Sequence, residues 1–206
     1  MSAARHAVLA RAGWDVERHG LFGAPVPRVL VSRGCHTTVY RALRLLGMGG
    51  QIHPVDVDDQ GRMSISALEA TLENTTGPLI VCGQVGNVDS GSVDRLDAIT
   101  ELAHARDGWV HLDAAFGMWA AASATARQHV GGLASADSWA TDAHKWLNVP
   151  YDCGLVFCAD RVAHRNAGGH LRDGKQRIHA VERLGLHRHA EYRQPRLGRQ
   201  HARQVG

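Results

Sequence analysis

Six short apolar runs recur along this chain, at 28–32, 51–57, 78–82, 109–112, 137–141 and 154–158. Runs of this length bounded by turn residues read as strands. Between most of them lie stretches with helical spacing. Val39, Ala42, Leu43 and Leu46 define a helix over 36–47, and Ile65, Leu68 and Leu72 line one face of another. Ser66 and Glu69 have the spacing of a capping box for that second helix. Leu96, Ile99, Leu102 and Ala103 mark a helix over 94–107, and residues 2–13 read as a helix before Gly13. Strands alternating with helices predict an α/β domain, a mostly parallel sheet with flanking helices.

The 206 residues suffice for one domain with a real core. No run approaches the roughly 20 apolar residues of a membrane span, and the first residues lack the apolar core of a signal peptide. Cys35, Cys82, Cys153 and Cys158 lie in or beside apolar runs without metal-site spacing. They read as buried free thiols in a reducing, cytoplasmic setting. Charge is unevenly spread. Residues 161–206 carry ten Arg and one Lys against one Asp and two Glu, a net +8, while residues 1–160 carry −5. The expected organisation is therefore a domain over 1–160 and a basic His/Arg-rich tail over 161–206.

The chemistry concentrates between Trp109 and Phe157. The run 109–112 ends in Asp113, and His144, Lys145 and Trp146 follow the run 137–141. Open parallel sheets present their chemistry at such strand ends. Trp139, Ala140, Ala143, Trp146 and Leu147 surround Lys145 in sequence. An apolar setting favours the neutral amine, a nucleophile toward an aldehyde. Lys145 thus reads as a Schiff-base lysine with Asp113 as its electronic partner. The bland readings stand beside this one: a solvated lysine, an aspartate capping a turn and, at His36, a helix cap.

Four segments decide between them. WVHLDAAFG, DSWATDAHKWLNVPYDCG, CHTTVYRALRLLGMG and GNVDSGSVDRLDAI resemble, in order and spacing, the pyridoxal-phosphate-dependent group II amino-acid decarboxylases, the branch with aromatic-amino-acid and glutamate decarboxylases. The resemblance covers roughly residues 2–160. It implies part of the large domain of a fold-type-I transferase-like enzyme, incomplete, with pyridoxal 5′-phosphate as cofactor. It implies that Lys145 carries the cofactor as a Schiff base, that Asp113 pairs with the pyridinium nitrogen, and that His36 stacks on one ring face with Ala115 on the other. His144 matches a residue beside the phosphate. Asn87 lies in a cofactor-proximal loop where many relatives have threonine. The implied reaction is decarboxylation of an L-amino acid by a homodimer.

Two departures qualify the resemblance. Relatives carry a long segment before the position of Met1, including a loop that binds the cofactor phosphate. After Asp160 the family pattern gives way to the basic tail, for which a reading-frame change in a GC-rich gene is the preferred explanation, beside a disordered basic segment and a short helix with a solvated charged face. The alternatives are a catalytically inactive remnant and another fold-type-I reaction of aminotransferase or desulfurase kind. A nucleic-acid-binding protein driven by the tail is disfavoured, since residues 1–160 do not interleave basic and aromatic groups.

Overall fold

The computed structural model describes residues 1–167, 177–178 and 190–192. Helix α1 (Ser2–Arg11) and the one-turn α2 (Val16–His19) precede strand β1 (Arg28–Ser32). Then come α3 (Thr37–Leu45), β2 (Ile52–Val55), α4 (Ile65–Glu73), β3 (Leu79–Gln84), α5 (Leu96–His104) and β4 (Trp109–Asp113). Three short 3₁₀ turns lead to β5 (Ser138–Asp142), the one-turn α6 (Ala143–Trp146), β6 (Gly154–Cys158) and α7 (Arg161–Ala167). Strands β7 (Arg177–Ile178) and β8 (Ala190–Tyr192) join the same sheet.

The strand order is β2-β1-β3-β4-β5-β6-β8-β7. The pairs from β2 through β5 are parallel, and those from β5 onward are antiparallel. The expected α/β class, mostly parallel in its first five strands, is what forms. The chain steps from β1 out to β2, then crosses back over β1 to reach β3 and continues to β4 and β5. The carboxyl ends of β1 and β3 therefore flank the point where the order reverses. Such a reversal opens a crevice in which ligands of open α/β sheets bind.

Alternation along the strands separates two cores. Leu30, Val81, Val110 and Leu112 face α4 and α5, with Leu68, Leu72, Leu96 and Ile99. Val29, Val31, Ile80, Cys82 and Trp109 face the other way, packing with Val39 and Leu43 of α3. Ala3, Ala4 and Ala7 of α1 and Ala163 of α7 join this second core, their small side chains letting both helices come close to the sheet. Trp109, Trp139 and Phe157 are the largest fully buried side chains. Each such burial is worth about 1.5–3 kcal/mol or more.

Local details differ from the sequence reading. Helix α4 is capped by Ser64, whose hydroxyl accepts from the Ala67 amide at 3.3 Å. Ser66 lies inside the helix, so Ser66 and Glu69 form no capping box. Ser64 holds the extended backbone a cap requires (φ −68°, ψ 122°). The helix expected from Asp94 begins at Leu96, because the Asp94 side chain is bound elsewhere. Strand β3 continues two residues past Cys82, drawn out by pairing with β4. Residues 161–167, assigned to the tail, form α7 and pack on α1; most of the remaining tail lies outside the described residues.

Candidate functional site

On the face toward α3 the sheet changes character along its length. Paired positions on β3 and β4 run from Ile80 and Trp109, through Cys82 and His111, to Gln84 and Asp113. Apolar packing thus gives way to polar groups at the carboxyl ends. A cavity of about 590 Å³ opens there, with His36, Gln84, His111, Asp113, Ala115, Phe116, Asp142 and Lys145 in its wall.

His36, Asp113, Ala115 and Lys145, four of the six expected site residues, meet at this cavity. His36 is the exposed N-cap of α3, its Nδ1 2.8 Å from the Thr38 hydroxyl. Asp113 ends β4, and one of its oxygens accepts from the Ala115 amide at 3.2 Å. Burial pushes the Asp113 carboxyl above its usual range, against the lowering effect of that amide and of the nearby Lys145 and His36 charges. Among the described residues no cation lies within 4.0 Å of it.

Lys145 departs from the apolar setting expected of it. Its Nζ lies 2.9 Å from Asp142 Oδ2 and 4.7 Å from the centre of the Phe116 ring. The turn of α6 sends Trp146 and Leu147 outward, where both are exposed, and Trp139 is buried with its N–H on Leu133 O. Of the expected apolar neighbours, Ala140 lines the cavity with Lys145, while the large ones do not enclose the amine. An ion pair and a cation–π contact hold it instead.

Asn87 and His144 do not line the cavity. Asn87 is 6% exposed and stitches two loops together. Its Oδ1 accepts from the amides of Asp89 (2.9 Å) and Ser90 (3.1 Å), and its Nδ2 donates to Gly34 O at 3.2 Å. The turn needs Gly86, whose φ of +95° places it in the left-handed region. The Nδ1 of His144 accepts from the Cys153 amide at 3.1 Å, and its ring lies 4.0 Å from that of Tyr151.

Other residues of the site escaped the sequence reading. Asp94 is buried and accepts from the amides of Met63 (2.8 Å) and Gln84 (2.7 Å), fixing the end of β3. Burial raises its pKa, partly offset by those two bonds. Ser138 accepts from the Trp109 indole at 2.8 Å, and its hydroxyl is also hydrogen-bonded to His111 Nδ1 at 2.8 Å. Burial keeps His111 neutral, its pKa well below 6.5. Only parallel register could have flagged Gln84 and His111, since it aligns polar residues that lie far apart in sequence.

Comparisons with known proteins agree with this architecture. The sequence model of the family described as "Pyridoxal-dependent decarboxylase conserved domain" matches residues 3–167. The chain is 36% identical over 134 residues to an aromatic-L-amino-acid decarboxylase of Bacillus atrophaeus, covering 63% of this chain and 28% of that protein. It is 33% identical over 157 residues to an L-2,4-diaminobutyrate decarboxylase of Rhizobium meliloti, covering 74% and 30%. Among solved structures, mouse CSAD superposes with a TM-score of 0.75 at 26% identity, covering 84% of this chain and 38% of that one. Oryza sativa TDC with PLP gives 0.70 at 28% identity, covering 84% and 36%. The chain spans about a third of the length of the curated relatives it matches.

Proposed function

The chain belongs to the pyridoxal-dependent decarboxylases, and from that premise we propose that it binds pyridoxal 5′-phosphate in the cavity and serves the decarboxylation of an L-amino acid. The observation that carries this reading is the convergence of His36, Asp113, Ala115 and Lys145, from three segments, on one cavity. The donor set suits the cofactor. Asp113 is a half-buried carboxylate without an ion-pair partner among the described residues, suited to a protonated ring nitrogen. Lys145 supplies a primary amine, held 2.9 Å from Asp142 Oδ2, that would condense with the cofactor's aldehyde with loss of water. His36 and the Ala115 methyl group, both in the cavity wall, would flank the ring. His144 and Asn87 act behind the cavity wall, one bracing the loop after α6 and the other the loops after β1 and β3. When bound, the cofactor supplies an electron sink for the pair left as carbon dioxide departs.

Two further readings accompany this one. The exposed Trp146, Leu147 and Tyr151 beside Lys145 support a second copy of the chain covering this side of the site, a homodimer that sedimentation would detect. The four cysteines are free. Burial pushes Cys35 and Cys158 up to about 11 and Cys82 to about 12, which leaves them protonated at neutral pH. The free state of all four fits a cytoplasmic, reducing setting. No helix among the described residues is long and apolar enough to cross a membrane.

The test is a titration with pyridoxal phosphate followed by absorbance, with carbon dioxide release measured from a panel of L-amino acids. The expected result is a new absorbance band and release, both absent in Lys145→Ala. A band unchanged by that substitution would overturn the assignment.

A further inference from the structure

We propose that Gln84 orients the cofactor, its side-chain NH₂ donating a hydrogen bond to the oxygen carried directly on the pyridine ring. The proposal rests on the reading that the cavity takes pyridoxal phosphate.

The orientation of the Gln84 amide follows from its neighbours. Asn87 Oδ1 accepts from two backbone amides, so Asn87 must turn its NH₂ toward Gly34 O and Gln84. The Gln84 atom facing that NH₂, at 3.5 Å, is therefore its oxygen. The Gln84 NH₂ then points away from Asn87 and has no hydrogen-bond partner among the described residues. Yet Gln84 is 5% exposed and lines the cavity. Its main chain is anchored as well. The amide donates to Asp94 Oδ2 at 2.7 Å, and the carbonyl accepts from the Asp94 amide at 3.1 Å. The NH₂ itself exposes less than 1 Å², so a turn of the Gln84 side chain toward the cavity would bring this unpaired donor to an acceptor on whatever fills it.

Register and charge select the acceptor. Gln84 stands directly opposite Asp113 on the neighbouring parallel strand. With Asp113 serving the ring nitrogen, Gln84, on the neighbouring strand, would stand beside the ring. A phosphate dianion beside the half-buried Asp113 carboxylate would be repelled, and a neutral carboxamide does little to offset that. The ring oxygen carries less charge and accepts from a neutral donor.

The experiment compares wild type with Gln84→Met, a near-isostere without the donor, and Gln84→Asn, which withdraws it. Dissociation constants are measured by tryptophan fluorescence for pyridoxal phosphate and for its 3-deoxy analogue, which lacks the ring oxygen. Melting temperatures of the cofactor-free proteins are recorded alongside. Losing one hydrogen bond should weaken pyridoxal phosphate binding about threefold to tenfold in both variants. The 3-deoxy analogue should bind wild type and variants alike. Cofactor-free Gln84→Met should melt no lower than wild type, because it removes an unpaired buried donor. The inference is overturned if pyridoxal phosphate binds the variants as tightly as wild type, or if both ligands lose equally. Wild type failing to bind pyridoxal phosphate would overturn this proposal and the functional reading together. Binding that is intact in wild type but insensitive to Gln84 overturns this proposal alone.

Discussion

Removing the Asp94 carboxylate should loosen the end of β3 and with it one wall of the cavity. In Asp94→Ala the amides of Met63 and Gln84, now bonded at 2.8 and 2.7 Å, lose their only acceptor. Each buried donor left unpaired costs about 1–3 kcal/mol, so the pair costs about 2–6 kcal/mol. The wild-type carboxylate already bears a burial penalty, seen in its raised pKa. That moves the expected loss to about 2–4 kcal/mol. At about 2–4 °C per kcal/mol for a chain of this size, melting falls by about 4–16 °C. Asp94→Asn retains one acceptor and should lose about half as much. Urea unfolding followed by the fluorescence of buried Trp109 and Trp139 gives the free energies, and hydrogen exchange reports the two amides. Asp94→Ala within about 0.5 kcal/mol of wild type, with both amides still protected, would refute this reasoning.

Three other perturbations follow from the same geometry. Burial raises the Asp113 pKa above its ordinary 3.8. Its contribution to stability is thus fully present below that value and lost as pH rises through the folded pKa. Cofactor-free Asp113→Asn should therefore exceed wild type in stability at neutral pH, with the gap closing toward pH 3.8 in a pH series of urea melts. Ser138→Ala strips the partner from the Trp109 indole and His111, and should cost about 1–3 kcal/mol by chemical denaturation. Gly86→Ala forces a side chain into φ +95°, with its Cβ 3.2 Å from that of Phe116. It should cost about 1–3 kcal/mol, read as a lower melting temperature.

The strands were legible because buried sheet runs are apolar and short, and the spacing between them required helices. Asp113 and Lys145 stood out because each follows such a run. What sequence could not carry was pairing in space. The ion pair of Lys145 depends on the single turn of α6, which brings Asp142 to the amine while turning Trp146 outward. Gln84 lies beyond the apolar run 78–82, and pairing with β4 extends β3 to include it. Asp94 resembled a helix start, and only the fold shows its carboxylate reaching back to two other segments. Ser64 and Ser66 are both plausible caps by type, and the backbone at Ser64 decided between them.

The central claim is that Lys145 is the attachment point. The sequence contains two lysines, Lys145 and Lys175, so covalent capture gives a clear answer. The chain is incubated with pyridoxal phosphate, reduced with borohydride, digested and mapped by mass spectrometry. The account predicts one dominant adduct, on the peptide containing Lys145 and absent from Lys145→Ala. Labelling of Lys175 or the N-terminus to an equal extent, or labelling unchanged in Lys145→Ala, would contradict it.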